Sequence, residues 1–338
     1  MKVISLFSGC GGLDLGFVKA GFDVIWANDF DKEAVDSYKA NIGNHIVHES
    51  IYNIDATIIP DANILIGGFP CLGFTLAKGK SRTLNCDYNQ LFMEYARVLN
   101  AKNPEYFLVE NVTGIKSGEE FNDFFHNVIL KTFENSGSGY KIKYLTLVSS
   151  DFGVPQKRKR IIIIGTRSDL ELEPQFPENF LINNFTTLRD AIFDLPIEHS
   201  SNIPNHLGNN HAVKINGYVG NRVLDWDKPS PTITGRGSRS GGAVIHPHPL
   251  LHRRLTVREC ARIQSFPDDF IFYGSNGACY SQIGNAVPPL MSFFIANEFR
   301  TVFGLNKLEL TPQIFQLPYI YKILELKKHD NDFTKIFD

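Results

Sequence analysis

The stretch Asn63-Ile64-Leu65-Ile66-Gly67-Gly68-Phe69-Pro70-Cys71 runs an apolar segment into two glycines and a proline and then presents a thiol. A short apolar run bounded by Gly and Pro reads as a buried strand, and the loops that follow strands in an open α/β sheet carry chemistry. Cys71 is therefore either a nucleophile or a small buried hydrophobe, since cysteine is among the most buried residue types. A second candidate, Glu110, follows the apolar run Tyr106-Phe107-Leu108-Val109 and is expected at the same sheet edge. By itself it reads equally as a cap or turn former. A third group, Gln156-Lys157-Arg158-Lys159-Arg160, precedes a run of isoleucines, and alternation in an extended segment puts Gln156, Arg158 and Arg160 on one face.

A fourth group lies near the N-terminus. Phe7-Ser8-Gly9-Cys10-Gly11-Gly12 joins an apolar run to a helical pattern, and its small residues let a ligand approach the backbone and the helix N-terminal amides. Asp29 stands 20 residues after Gly9, at the end of the next strand, where an acidic side chain accepts hydrogen bonds from ribose hydroxyls. Phe30 is placed to cover an adenine. The turn lacks the G-x-G-x-x-G spacing of dinucleotide sites, so S-adenosylmethionine fits better than NAD.

The elements that must position these groups follow from hydrophobic periodicity. Strands are expected at 3–7, 23–28, 64–66, 106–109, 141–148 and 161–164, and helices at 13–20, 32–41, 90–100 and 121–135. Strands alternating with helices predict a largely parallel, doubly wound sheet. Beyond about residue 167 the rhythm fails: 172–250 is rich in Pro, Asn and Gly and predicts a second, irregular domain. Helical periodicity returns at 256–265 and 288–303, and the tail after Gly304 carries no clear pattern.

With 338 residues, 43% hydrophobic and 21% charged, the composition is that of an ordinary soluble globular protein. Five cysteines without a C-x-x-C pair suggest neither a disulfide framework nor a zinc knuckle, and fit a reducing cytoplasm. No apolar stretch approaches membrane-spanning length, and no metal site is expected; His246-Pro247-His248 reads as a surface turn. The net charge of −2 argues against a protein that coats nucleic acid through bulk charge. The cations Lys214, Arg222, Lys228, Arg236, Arg239, Arg253, Arg254, Arg258 and Arg262 nevertheless face only Asp225, Asp227 and Glu259 in their stretch, which predicts a local positive field suited to nucleic acid.

Taken in order, "FSGCGG", "NDFD", "GGFPCLGF", "ENVTGI", "QKRKR", "RRLTVRECARIQSFPDDF" and "QIGNAVPP" resemble the motifs of the cytosine-C5 DNA methyltransferases of bacterial restriction-modification systems. The likeness extends to about Phe303. It implies an α/β fold: a doubly wound, Rossmann-like S-adenosylmethionine-dependent methyltransferase domain (1–171 with 266–338) and a smaller irregular target-recognition domain (172–265). It implies that Cys71 adds to C6 of a flipped-out cytosine, that Glu110 holds or protonates N3, and that Arg160 binds O2 with Arg158 in support. Cytosine C5 is a poor nucleophile until something adds to C6, and a thiolate suits that bond. Cofactor contacts are implied for Phe7, Gly9, Gly11, Gly12, Asp29, Phe30, Ser50, Ile51, Pro70 and Asn285. Arg222, Arg236 and Arg239 are the expected guanine readers and Thr232 a phosphate contact. A monomer acting on double-stranded DNA is expected, with a cognate restriction endonuclease acting on the same site without direct contact.

The chain departs from the family pattern at four places. Leu72 stands where Gln usually follows the cysteine, Ser5 and Asn63 replace common acidic residues, and Tyr88 replaces an arginine. Two other readings stay open: a tRNA cytosine-C5 methyltransferase, against which no "CFT"-type segment is found, and an inactive DNA-binding homologue, against which the Cys71/Glu110 pair is intact.

Overall fold

The computed structural model describes residues 1–70, 91–179, 181, 184–208, 212–217, 220–235 and 245–334; Cys71, Leu72, Tyr88, Arg236 and Arg239 lie outside them. Seven strands form one sheet in the order β3-β2-β1-β4-β5-β8-β6. They are β1 (Lys2–Leu6), β2 (Asp23–Asp29), β3 (Ile46–His48), β4 (Ile64–Gly67), β5 (Tyr106–Val112), β6 (Tyr140–Val148) and β8 (Lys159–Arg167). The first five in spatial order pair in parallel, whereas β8 runs antiparallel to both β5 and β6. The expected α/β fold with a mostly parallel sheet is what the chain adopts.

Alternation along the strands divides the core between the two sheet faces. Val3, Ile64, Ile66, Leu108, Ile162 and Ile164 point into one apolar cluster, joined by α1 (Gly12–Lys19) and α9 (Pro289–Val302) through Phe17, Leu290 and Phe299. Ile4, Leu6, Leu65, Phe107, Val109, Ile161 and Ile163 point into the other, covered by α3 (Leu91–Lys102) through Tyr95 and Leu99. Burial on both faces is why 161–164 reads as four isoleucines in a row: all four are fully buried.

The sheet reverses its winding at β1, whose neighbours are β2 and β4. Leu6 and Gly67 are paired in register, so the glycine turn 7–12 and the loop entering Cys71 leave the sheet side by side. That is the crevice where open α/β sheets bind ligands.

Several elements differ from expectation. β5 continues to Val112, so Glu110 and Asn111 belong to the strand rather than follow it. The expected helix at 121–135 is α4 (Glu119–Phe124), a π-helical turn (Phe125–Leu130) and α5 (Lys131–Glu134). α8 (Asn276–Asn285) is an addition, because its Gly, Ser and Asn content masks its periodicity. The tail after Gly304 is structured: α10 (Ile320–Thr334) follows Phe315, Leu317 and Tyr319, all buried in the core of the α1 face.

The region of the irregular segment holds α6 (Leu188–Ile192) and leads into α7 (Val257–Ile263), each opened by a capping box. β7 (Gln156–Lys157) pairs in parallel with β9 (Ser230–Pro231), tying this region to the basic stretch before β8. One expectation fails here and another holds only in part. His246 and His248 are buried, at 2% and 4% exposure, not a surface turn. Part of the positive field is internal: Arg254 donates to the carbonyls of Ala212, Gly220 and Ile245 and to Asn221 Oδ1, Arg258 donates to backbone carbonyls, Arg253 pairs with Glu259, and Arg262 with Asp194 and Asp268. Lys214, Arg222 and Lys228 remain exposed.

Candidate active site

Glu110 and Arg160 meet because their strands are antiparallel neighbours. Val112 lies opposite Arg160 in register, and Glu110, two residues along β5, shares that face as a diagonal neighbour. Glu110 Oε1 is 2.7 Å from Arg160 Nε, with side chains only 10% and 12% exposed. The contact is an ion pair in which Glu110 Oε1 and Arg160 Nε face each other across the strand ends. Burial lowers the Arg160 pKa and Glu110 opposes that shift. A carboxylate and a guanidinium side by side can grip a planar group bearing both a donor and an acceptor.

The loop to Cys71 is held against this pair. Asn111 Nδ2 donates to Phe69 O at 3.2 Å, two residues before the cysteine. Gly68 passes Glu110 so closely that a Cβ there would lie 3.0 Å from Glu110 Oε2 and 3.2 Å from its carbonyl. Gly67 packs on Leu6 O in the same manner, its Cβ position 2.6 Å away. The double glycine therefore reflects close approach. It is what lets the loop cross the end of β5.

Arg158 behaves differently from Arg160. It is fully buried, donates to Ile233 O (2.9 Å) and Gly284 O (2.8 Å), and joins β7, the segment after β9 and α8. Burial, then the charge of Arg160, holds its pKa well below the usual value. Gln156 accepts from Ile233 N (2.9 Å) and donates to Gln264, which donates to Ile283 O (3.0 Å) and Ala286 O (2.7 Å). Alternation did place Gln156, Arg158 and Arg160 away from solvent, but two of the three fasten the backbone.

At the neighbouring crevice, Gly9 N donates to Asp29 Oδ2 and Asp31 N to Oδ1, both at 2.8 Å. Burial raises the Asp29 pKa to about 6 against these bonds. Gly11 has φ +90°, and Phe7, which is not a glycine, has φ +55°. A left-handed Phe costs on the order of 1–2 kcal/mol and persists only where its surroundings hold it. Gly12 packs on Val287 O and Ala286, which brings the chain beside Asn285 to the turn. Phe30 is 61% exposed at the rim, Asn28 Oδ1 is buried without a partner, and Ile51 O accepts from Arg97 at 2.9 Å. Ser50 precedes the short helical turn that begins at Ile51, and Pro70 is the last described residue before Cys71. Sequence reading missed Asp14 and Tyr38, which meet beneath this turn at 2.8 Å.

Of the expected nucleic-acid contacts, Arg222 is exposed and donates to Gly217 O (3.2 Å), and Thr232 donates to Lys157 O (3.0 Å). The described thiols contrast with the reactive type: Cys10, Cys260 and Cys279 are buried, and burial raises the pKa of each, Cys279 to about 11. Among the described residues no group of His, Cys, Asp and Glu is arranged to hold a metal, and no helix is long and apolar enough to cross a membrane.

The chain is 38% identical to the type II methyltransferase M.MthTI of Methanothermobacter thermautotrophicus, over 89% of its length and 97% of the relative's. It is 37% identical to the type II methyltransferase M.NgoPII of Neisseria gonorrhoeae, over 88% and 94%. An E. coli protein described as a DNA modification methyltransferase encoded within a prophage superposes with TM-score 0.72 at 26% identity, covering 90% of this chain and 99% of that one. The Dnmt2 methyltransferase of S. pombe shares the fold, with TM-score 0.66 at 21% identity and coverage of 90% and 100%. The family model for C-5 cytosine-specific DNA methylases matches residues 1–301, and the chain belongs to that family.

Proposed function

We propose that this DNA (cytosine-5)-methyltransferase works through covalent addition of Cys71 to C6 of a cytosine flipped out of duplex DNA, with S-adenosylmethionine as methyl donor. The observation that carries the reading is the Glu110–Arg160 pair at 2.7 Å beside the loop that leads to Cys71. The pair presents a carboxylate and a guanidinium together at the end of neighbouring strands. Cytosine offers N3 and O2 on one edge, matching a carboxylic acid and a guanidinium.

The residues of the 7–12 turn fit the cofactor. Asp29 is fixed by two backbone amides, Phe30 is exposed beside it, and the orphaned Asn28 Oδ1 lies at the end of the same strand. Gly9, Gly11, Gly12, Phe7, Ser50, Ile51, Pro70 and Asn285 would complete the pocket. When bound, the cofactor supplies an electrophilic methyl group. Cys71 forms the bond to C6, Glu110 carries the proton at N3, and Arg160 steadies O2. After methyl transfer a base removes the C5 proton and Cys71 leaves as thiolate, restoring the ring. Unpairing the base costs a few kcal/mol, offset by contacts from the target-recognition domain, 172–265, in which Arg222, Arg236 and Arg239 read bases and Thr232 anchors phosphate. Arg158 supports Arg160 by fixing the strand that carries it. The chain acts as a monomer in the cytoplasm, and a restriction endonuclease of the same site is its counterpart.

The test is trapping with 5-fluorocytosine at the target position. Fluorine does not leave as a proton does, so a protein–DNA adduct stable in denaturing gels should accumulate. It should require S-adenosylmethionine and be absent for Cys71→Ser, because a serine hydroxyl is a far weaker nucleophile. An adduct on tRNA and not on duplex DNA would replace the substrate. No adduct on any nucleic acid containing the site would overturn the covalent reading.

A further inference from the structure

A buried hydrogen-bonded chain beneath the glycine turn takes no part in the chemistry above. Asp14, in the first turn of α1, is fully buried. Its Oδ1 accepts the Ser5 hydroxyl and its Oδ2 the Tyr38 phenol, each at 2.8 Å. The Ser5 hydroxyl in turn accepts that of Ser8 at 2.9 Å. On the far side, His45 Nε2 lies 2.9 Å from the Tyr38 phenol oxygen. The ring of Tyr38 also closes on Gly11, where a Cβ would come within 2.9 Å of it.

Asp14 thus reaches the turn by two routes, through Ser5 and Ser8 at its entrance and through Tyr38 at Gly11. The turn needs such anchors. Phe7 sits at φ +55°, a region that a residue with a side chain avoids, so the turn relaxes to another shape wherever its anchors let go. The turn is tied as well by Ser8 N to Asn28 O (3.0 Å), Gly9 N to Asp29, Gly11 N to Ser8 O (2.9 Å), the Ser8 hydroxyl to Ser5 O (3.3 Å) and Cys10 Sγ to Gln282 O (3.8 Å). None of these ties joins the Ser5, Ser8 and Tyr38 hydroxyls to one acceptor.

We propose that Asp14 is a positioning residue for the cofactor turn: its carboxylate gathers the Ser5, Ser8 and Tyr38 hydroxyls into one arrangement and so sets the shape of 7–12 for S-adenosylmethionine. This rests on reading that turn as the cofactor site. The device requires one carboxylate between β1 and α1, on either side of the contact. Exchanging the pair, Ser5→Asp with Asp14→Ser, keeps a carboxylate, a hydroxyl and their proximity. Asp14→Ser alone leaves the donors without a charged acceptor, and Ser5→Asp alone buries two carboxylates together.

The experiment measures S-adenosylmethionine binding by calorimetry, steady-state kinetics on duplex DNA, and melting temperature for every variant. Losing hydrogen bonds to a charged acceptor should raise the cofactor Kd and KM of Asp14→Ser about tenfold or more, with kcat at saturating cofactor within about threefold of wild type. Ser5→Asp should weaken binding comparably, and the exchanged pair should return to within about threefold of wild type. Should Asp14→Ser not fold, Tyr38→Phe keeps the ring against Gly11 and removes only the phenol; it should raise cofactor KM about threefold. A folded exchanged pair no better than the worse single variant overturns the proposal, as does unchanged cofactor affinity in folded Asp14→Ser or Tyr38→Phe. A wild-type chain that binds no S-adenosylmethionine overturns the cofactor reading itself, and this inference with it.

Discussion

Arg158 and Arg160 stand two positions apart, share one face of an extended segment, and do different things. Arg160 pairs with the Glu110 carboxylate, whereas Arg158 spends two donors on the carbonyls of Ile233 and Gly284. Their like spacing was legible in sequence. Their division of labour was not, because a guanidinium bound to backbone carbonyls and one paired with a carboxylate share the same letter; the same blindness hid the internal partners of the arginines at 253–262. Two outcomes follow. Arg158→Met should destabilise the fold by about 3 kcal/mol or more, since each hydrogen bond from a charged group contributes ~1.5–3 kcal/mol, read from denaturant melts. Glu110→Gln should lower the melt, because it leaves the buried Arg160 guanidinium without its counter-charge, and should slow adduct formation ~10²–10⁴-fold, the usual range for a lost general acid, read from single-turnover trapping. An Arg158→Met variant as stable as wild type would refute the fastening role.

At the scale of elements, the alternation of apolar runs with helical patterns revealed most of the parallel half of the sheet, because strands buried on both faces leave an unmistakable run. The π-helical turn inside 119–134 escaped, since one extra residue per turn leaves no compositional mark. α8 escaped because Gly and Ser near a tightly packed helix reflect close approach rather than low helix content. Gly284 is one such case, passing against Thr234 and Gly235. The extension of β5 to Val112 matters most, because strand geometry fixes Glu110 where a loop would let it wander. Gly68 completes that arrangement. Gly68→Ala should displace the Glu110 carboxylate, lowering kcat at least about tenfold with little change in fold, since misplacing a reacting group by about 1 Å costs ~10²-fold. Unaltered turnover in Gly68→Ala would show that Glu110 has room the geometry denies.

At the scale of the whole molecule, acid acts on the two halves with opposite signs. Burial lowers the pKa of His246 and His248 from 6.5 to about 4, so the stability they contribute is present above 6.5 and is lost as pH falls toward 4. Burial raises Asp14 and Asp29 from 3.8 to about 6, so the cost of their charge near neutrality is relieved as pH falls through 6. Near pH 5 the amides of 245–256 should therefore exchange faster while those of β1, α1 and β2 hold; uniform loosening of both regions would contradict this. Neither half's chemistry was visible in the histidine spacing, which reads as a turn until burial is known. One further consequence belongs to time rather than to pH. Ile323 of α10 covers Gly153, where a Cβ would come within 3.0 Å of it, and the Tyr319 phenol donates to Arg262 O at 2.9 Å. A ribosome adding roughly 5–20 residues each second leaves the back of the β6–β8 corner bare for roughly 10–30 s after that corner emerges. Newly made chains are thus exposed to proteases and to one another during that interval, until α10 emerges and closes it.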